Sequence, residues 1–238
     1  MIETTSLVIL GASAFGEVAS LIRDINDAAQ RPVYEVIALL DDNAETHGST
    51  VHGVHVSGQL SNWLDYPDAK FVFLIGSHRS RVIRRDIVTR LGIPRDRFVT
   101  LVHPTANVFG GASIGVGCLL YSGTVIFNDT AIEDFVLVLP NSVIGAFGTI
   151  AEFSLIASSV SVGSNVRIGP CVHIGAGAAV NEGVVLGAGS QVAMAGFCAR
   201  NLPDGAFCIG NPAQAVSKID IPEALAETWR NHPCREKA

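Results

Sequence analysis

The sequence predicts an α/β domain with Rossmann-like alternation, then a parallel β-helix built from hexapeptides, then a short C-terminal helix. Three observations carry this fold class. From Val102 to Val192 every sixth residue is Val, Ile or Leu without a slip, and the series runs on to Cys198. Ahead of it, short β-branched runs alternate with helical stretches. Behind it lies a Pro-led amphipathic segment, Ile221–Trp229.

The N-terminal layer reads in order. A buried-type strand, Leu7–Leu10, enters Gly11-Ala12-Ser13-Ala14-Phe15-Gly16, and a helix runs from Glu17 to about Asn26. A second strand, Val36–Leu40, ends in Asp41-Asp42. A third, Phe71–Ile75, ends in Gly76-Ser77 and leads to a basic helix, Arg79–Leu91, closed by Gly92 and Pro94. Strands alternating with helices mean a parallel sheet. The turn holding Gly11, Ser13 and Gly16 aims backbone N–H groups and a helix N-terminus at an anion, and Asp41 or Asp42 falls where a ribose-binding carboxylate belongs. Ser77 and Arg79 stand at the third strand end, where ligands collect in open sheets, and Arg79 is a candidate phosphate contact. The motif G-x-x-x-x-G lacks the middle glycine of a dinucleotide fingerprint, so a nucleotide-sugar fits it better than a nicotinamide or flavin cofactor.

The hexads follow. If Val, Ile and Leu fill about a quarter of an ordinary chain, sixteen consecutive hits arise by chance on the order of once in 10¹⁰. Neither helix nor ordinary strand repeats every six residues; a hexapeptide β-helix does. The aliphatic residue i of each hexad points inward, and the small or β-branched residue i−2 is the second inward side chain. Residue i+1 is often Gly or Ala, which predicts a crowded corner with unusual dihedrals. Three strands and three corners make an 18-residue coil, so residues 102–197 supply a little over five coils. End coils need caps, and the tail is a candidate cap. The expected boundaries are 1–100 for the nucleotide-sugar-binding domain, 101–215 for the β-helix and 216–238 for the tail.

Composition excludes several classes. The chain of 238 residues is 48% hydrophobic, 16% charged and carries a net charge of −6, which argues against a nucleic-acid-binding surface. No apolar run spans a bilayer, and no signal peptide is visible at the N-terminus. Five cysteines without a C-x-x-C pair suggest neither disulfides nor a metal site. A cytoplasmic protein is the expectation.

The Gly-Ala-Ser opening, His103-Pro104-Thr105-Ala106 at the junction, Leu202-Pro203-Asp204-Gly205 and Gly210-Asn211-Pro212-Ala213 complete a pattern. It resembles the bacterial hexapeptide-repeat sugar acetyltransferases of the sialic-acid O-acetyltransferase and UDP-4-amino-sugar N-acetyltransferase type, from about residue 6 to 216. The resemblance implies a left-handed β-helix and a homotrimer. It also implies acetyl-CoA, or another acyl-CoA, between prisms and a nucleotide-sugar on the N-terminal domain. In that family the active-site stretch reads approximately Ile-Asn-Thr-x-Ala-x-Ile-Glu-His-(Asp/Glu), the His being the general base. Here the matching stretch is Val138–Phe147, with Ala146 in place of the His, Phe147 in place of the acid and Leu139 in place of the Asn. Ala and Phe accept no proton, and a positioned base contributes about 10²–10⁴-fold.

Stacking by 18 puts Asn128, Ala146, Ser164 and Glu182 in one corner column. Glu182 is one substitute base, roughly 10 Å above Ala146 at the ~4.8 Å coil spacing. Glu152, Asp134 and His173 are others, though each reads more simply as a structural residue; His103 reads as an interdomain hydrogen-bonding residue. For the acyl donor, the corner at Ser164 offers a backbone N–H to a thioester carbonyl, and Arg200 offers a cation to a phosphate. Met194 puts bulk where the family keeps small residues along the pantetheine path. Two functions stand open: an acyl-CoA-dependent O- or N-acyltransferase with a degenerate or relocated base, or an inactive trimeric nucleotide-sugar-binding or scaffold protein. A third class places chemistry on the N-terminal domain, with a dinucleotide at Gly11–Gly16.

Overall fold

A computed structural model of the chain describes residues 4–75 and 81–234. The N-terminal sheet is parallel and ordered β2-β1-β3, with β1 at Thr5–Leu10, β2 at Tyr34–Leu40 and β3 at Lys70–Phe73. Leu7 to Leu10 are fully buried, as expected for a central strand covered on both faces. Helix α1 (Phe15–Ala28) turns Phe15, Val18, Leu21 and Ile22 to the core. Helix α2 (Arg81–Leu91) follows β3.

From Leu101 onward each coil contributes one two-residue strand to each of three parallel faces. Face 1 stacks six strands, from Asn107–Val108 to Phe197–Cys198, and face 2 stacks five, from Ser113–Ile114 to Val185–Leu186. Face 3 runs from Leu101–Val102 to Gln191–Val192 and is extended by Ala206–Gly210 and an antiparallel return, Ala213–Lys218. Up to Val180 and Cys198 each hexad residue pairs with the one 18 positions on, as Ile126 does with Ile144, and in the last coil the step shortens, Leu186 pairing with Leu202 and Val192 with Cys208. Positions i and i−2 form one interior cluster, including Cys118, Val136, Val160 and Val184 at i−2. The hydroxyl residues at i−2 have a specific duty. Ser142 Oγ donates to Ala157 O (2.7 Å) and accepts from Val160 N–H (3.2 Å), and Ser154 repeats this with Gly169 O (2.9 Å) and Val172 N–H (3.2 Å). These two buried hydroxyls therefore tie coil to coil, whereas Thr124 Oγ1 and Ser190 Oγ at the equivalent positions are buried without a partner among the described residues.

The corners correct one expectation. The residue with positive φ is i+3, not i+1: Asp129, Phe135, Asn141, Phe147, Phe153, Ser159, Asn165, Cys171 and Ala195 all fall there. Glycine at i+1 answers crowding alone; a Cβ on Gly145 would lie 2.5 Å from the Gly163 carbonyl carbon in the next coil. A bulky L residue in the left-handed region costs about 1–2 kcal/mol. Phe135 and Phe153 recover this by stacking on each other (4.9 Å, 7°) in full burial, on the edge between faces 2 and 3.

That edge joins the parts of the chain. Arg84 of α2 is 1% exposed, donates to Phe153 O (3.3 Å) and Phe135 O (3.2 Å), and lies over the Phe73 and Phe153 rings. Arg85 pairs with Glu152 at 3.1 Å, and Arg95 pairs with Asp134. The tail runs down the same edge. Ile221 sits against Gly189, while Leu225 and Trp229 of α3 (Glu223–Arg230) pack with Ala151, Cys171 and Ala188. His232 Nε2 then meets Glu133 at 2.8 Å. A second joint lies at the foot of face 3, where Leu101 and Leu119 are buried under α1 and His103 Nε2 faces Asp24 at 3.1 Å. Thr105 N–H donates to His103 Nδ1, so Nε2 carries the proton given to Asp24, and this contact holds the Asp24 carboxyl below its usual range.

Candidate functional site

The first candidate site is the cleft at the carboxyl ends of the N-terminal strands. A cavity of about 240 Å³ is lined by Gly11, Ser13, Asp41, Asp42, Leu60, Ile75 and Ile87. It lies where strand order reverses beside β1, the usual ligand crevice of an open parallel sheet. Gly11 must be glycine, because its φ is +105° and a Cβ would stand 2.8 Å from the Ile75 side chain. Asp41 shapes the turn: Oδ2 accepts from Ala12 N–H (2.8 Å) and Oδ1 from Asn43 N–H (2.9 Å). Asp42 is more open, accepting from Leu60 N–H at 2.9 Å and facing Arg90 at 3.4 Å.

The structure brings Gly11, Ser13, Asp41 and Asp42 together around one cleft. Gly16 stands apart from the lining; it makes room for His52, whose Nε2 would lie 2.6 Å from an added Cβ. Ser77 and Arg79 lie outside the described residues. Sequence reasoning missed the cleft's extension, a cavity of about 490 Å³ sharing Asp42 and Leu60 and walled by Gln59, Trp63, Leu64 and Arg90. Its wall is a 3₁₀ segment, Leu60–Asp65, which carries no motif and no periodicity.

The second candidate site is the edge between faces 1 and 2. The column stacks as the register requires: Phe147 N–H donates to Asn128 O, Asn165 N–H to Ala146 O and Gly183 N–H to Ser164 O, at 2.8–3.2 Å. Arg200 completes the column above Glu182 and lines a cavity of about 410 Å³ with Asn201, Leu202, Pro203 and Pro212–Ala215. The Ser164 N–H has no acceptor among the described residues, a property shared by the i+2 position of Ala146 and Asn128. Met194 is 73% exposed on a different edge, between faces 3 and 1.

Among the described residues, the nearest carboxylate down the column is Asp129, which accepts from Asn128 Nδ2 at 2.8 Å in the coil below Ala146. Glu182 is exposed, two coils up, and accepts from Asn165 Nδ2 at 3.4 Å. Glu152 lies on the edge after face 2, engaged by Arg85, and His173 projects from face 3 between Leu155 and Gln191. Among the described residues, no group of three or more His, Cys, Asp or Glu could hold a metal ion, and no helix is long and apolar enough to cross a membrane.

Comparison with known proteins agrees with both halves of the fold. Residues 6–91 match the PglD N-terminal domain family. The UDP-N-acetylbacillosamine N-acetyltransferase of Bacillus subtilis (strain 168) is 37% identical over 54 residues, 23% of this chain and 24% of that protein. That match therefore spans about a quarter of the curated relative. The acetyltransferase domain of PglB from Neisseria gonorrhoeae superposes with a TM-score of 0.75 at 25% identity, covering 90% of this chain and 100% of that one. PerB from Caulobacter crescentus, solved with CoA and GDP-perosamine, gives 0.75 and 25% over 91% of this chain and 100% of its own. In sequence and in fold the chain is similar to the hexapeptide-repeat sugar acetyltransferases, with a PglD-type N-terminal domain followed by a left-handed parallel β-helix.

Proposed function

We propose that this chain is an acyl-CoA-dependent O- or N-acyltransferase of nucleotide-activated or related sugars, working as a homotrimer with a degenerate or relocated base. The observation that carries the proposal is likeness over nine-tenths of the chain to a protein solved with both CoA and GDP-perosamine. The supporting geometry is a cleft of the right kind on the N-terminal sheet and a column of corners ending at Arg200. The cleft holds the nucleotide: Gly11 and Ser13 present the turn to the diphosphate, and Asp42 faces the ribose. The Ser164 N–H polarises the thioester carbonyl, and Arg200 meets a CoA phosphate. With Ala146 unable to take a proton, an amine acceptor must arrive uncharged or meet a base from elsewhere, so the rate should climb with pH until the amine is deprotonated.

The test is thiol release from acetyl-CoA with UDP- or GDP-amino sugars as acceptors, alongside calorimetry with CoA alone. Turnover that rises with pH supports the proposal; absence of CoA binding sinks it. A second reading is favoured by one observation, the joint replacement of three family polar positions by Leu139, Ala146 and Phe147. In it the protein is an inactive trimeric nucleotide-sugar-binding or scaffold protein. It predicts sugar-nucleotide binding without turnover, and gain of turnover in Ala146→His.

A further inference from the structure

We infer that Cys198 and Cys208 are a redox pair at the top of the β-helix, closing to a disulfide under a hydroperoxide and reopening under a dithiol. The bond is independent of the function proposed above; only its consequence for CoA rests on that reading.

The last coil places the two thiols in one layer. On face 1 Cys198 stacks on Val180, on face 2 Leu202 stacks on Leu186, and on face 3 Cys208 stacks on Val192. All three belong to the interior cluster, so the rod ends in a triangle of one leucine and two buried cysteines. The two cysteine side chains lie within hydrogen-bonding reach of each other. Sixteen aliphatic hexad positions precede this layer without one cysteine. Valine fills the interior directly below each thiol, at Val180 and Val192, so packing alone does not call for sulfur in either place.

The pair is chemically uneven. Cys198 Sγ donates to Arg200 O at 3.2 Å and Cys208 Sγ to Gln191 O at 3.5 Å. When Cys198 ionises, the Cys208 S–H turns to it; that shared hydrogen bond holds the Cys198 thiol below its ordinary pKa and raises Cys208. The thiolate is the nucleophile, so Cys198 attacks and Cys208 resolves. In the first step a sulfur–oxygen bond forms, the O–O bond breaks, and the Cys198 proton leaves with the alcohol, or with water from hydrogen peroxide. In the second, Cys208 sulfur displaces the hydroxyl of the sulfenic acid, which leaves as water with the Cys208 proton. The two thiols together lose two electrons, and the hydroperoxide gains them.

The end of the rod gives the oxidant its way in. The cavity of about 410 Å³ is lined by Ala199, next to Cys198, by Leu202 of the same layer, and by Ala215, the register partner of Cys208. Among the described residues no coil stacks above this layer, and the return Ala213–Lys218 that covers it is itself largely exposed. The lower cysteines are differently placed. Burial pushes the Cys118 thiol up to about 12, and Cys171 packs in the joint with Trp229. A disulfide also consumes the hydrogen that Cys198 gives to Arg200 O, so the segment carrying Arg200 loses a hold on the rod. On the function proposed above, oxidation therefore weakens CoA at that cavity.

The test is thiol titration of the denatured full chain, with intact mass, before and after millimolar hydrogen peroxide. The native chain should fall from five thiols to three, lose about 2 Da, and regain both with dithiothreitol. Tryptic digestion without reduction should join peptides 168–200 and 201–218 through Cys198 and Cys208. Cys198→Val and Cys208→Val continue the aliphatic pattern and keep the fold; each should retain its four remaining thiols through the treatment. Cys234→Ser should lose two thiols as the native chain does. Five thiols after peroxide, a bond between any other pair, or oxygen added in place of the bond overturns the inference. CoA calorimetry on the reduced and oxidised chains reads the consequence: binding at least about threefold weaker after oxidation supports the link to the cavity, and equal binding overturns it. CoA binding to neither form removes the function proposed above, and the thiol titration then decides the redox pair by itself.

Discussion

Replacing Arg84 by Met probes the joint that sets the N-terminal domain against the β-helix. Burial lowers the Arg84 pKa to about 10, so the cation persists at neutral pH. A shift of that size corresponds to about 3 kcal/mol against the charged form. Against it stand two charge-assisted hydrogen bonds, to Phe135 O and Phe153 O, at about 1.5–3 kcal/mol each. Two desolvated ring contacts, with Phe73 and Phe153, add about 1–2 kcal/mol. Arg84 Nε is buried without a partner among the described residues, at a further cost of about 1–3 kcal/mol, so the favourable terms win by a small margin. Met restores most of the stem's packing but strands two buried carbonyls, so Arg84→Met should cost about 2–4 kcal/mol. The chain's two tryptophans separate the consequences, because Trp63 packs in the N-terminal domain and Trp229 on the β-helix edge. In urea, both fluorescence signals should move to lower midpoints. A variant as stable as the native chain, or more so, would refute the reasoning and make Arg84 a net burden, as some buried ion networks are.

Three further outcomes follow from the coils and the joint. Gly145→Ala forces a Cβ into the Gly163 backbone, and a loss of about 1–3 kcal/mol in chemical denaturation is expected. Ser142→Ala removes the donor to Ala157 O and the acceptor of Val160 N–H, and should lower stability by about 1–3 kcal/mol, measured the same way. Asp24 is held below its ordinary range by His103, so its contribution is present above that range and lost as pH falls through the lowered pKa. Asp24→Asn should therefore be less stable than the native chain at pH 7, and the two stability curves should converge only at acid pH below the lowered Asp24 pKa.

How much was legible in the sequence differs sharply between elements. The β-helix was readable to the residue because its period is covalent: each aliphatic hexad position had one place to point. The glycine corners were readable in position but not in cause. A sequence shows that Gly145 is small; only the stacked coil shows that Gly163 leaves no room for a Cβ, and that the left-handed residue comes two positions later. Asp41 was placed at the cleft from strand and turn spacing, yet its commitment to Ala12 and Asn43 depends on side-chain geometry no spacing encodes. The Arg84 clamp was invisible. A basic helix face reads as solvated, and its partners lie 51 and 69 residues away as backbone carbonyls, which have no sequence pattern.

The two replaced family positions differ in what they say. At Ala146 the N–H has no acceptor among the described residues and the carbonyl accepts from Asn165 N–H whatever the side chain, so an alanine stands there without cost to the β-helix. An alanine in that place records only that nothing in the fold opposed it. Residue i+3 is different, since every side chain there must sit at positive φ, and a phenyl ring does so at about 1–2 kcal/mol. Polar Asn165 and Asp129 on the same edge sit at that φ with less strain than a phenyl ring. Phe147 thus sits against the local preference of the backbone with no burial in its own chain to offset it. Residue 146 can vary without strain on the coil, whereas an aromatic at 147 carries the strain of positive φ with 57% of its surface exposed.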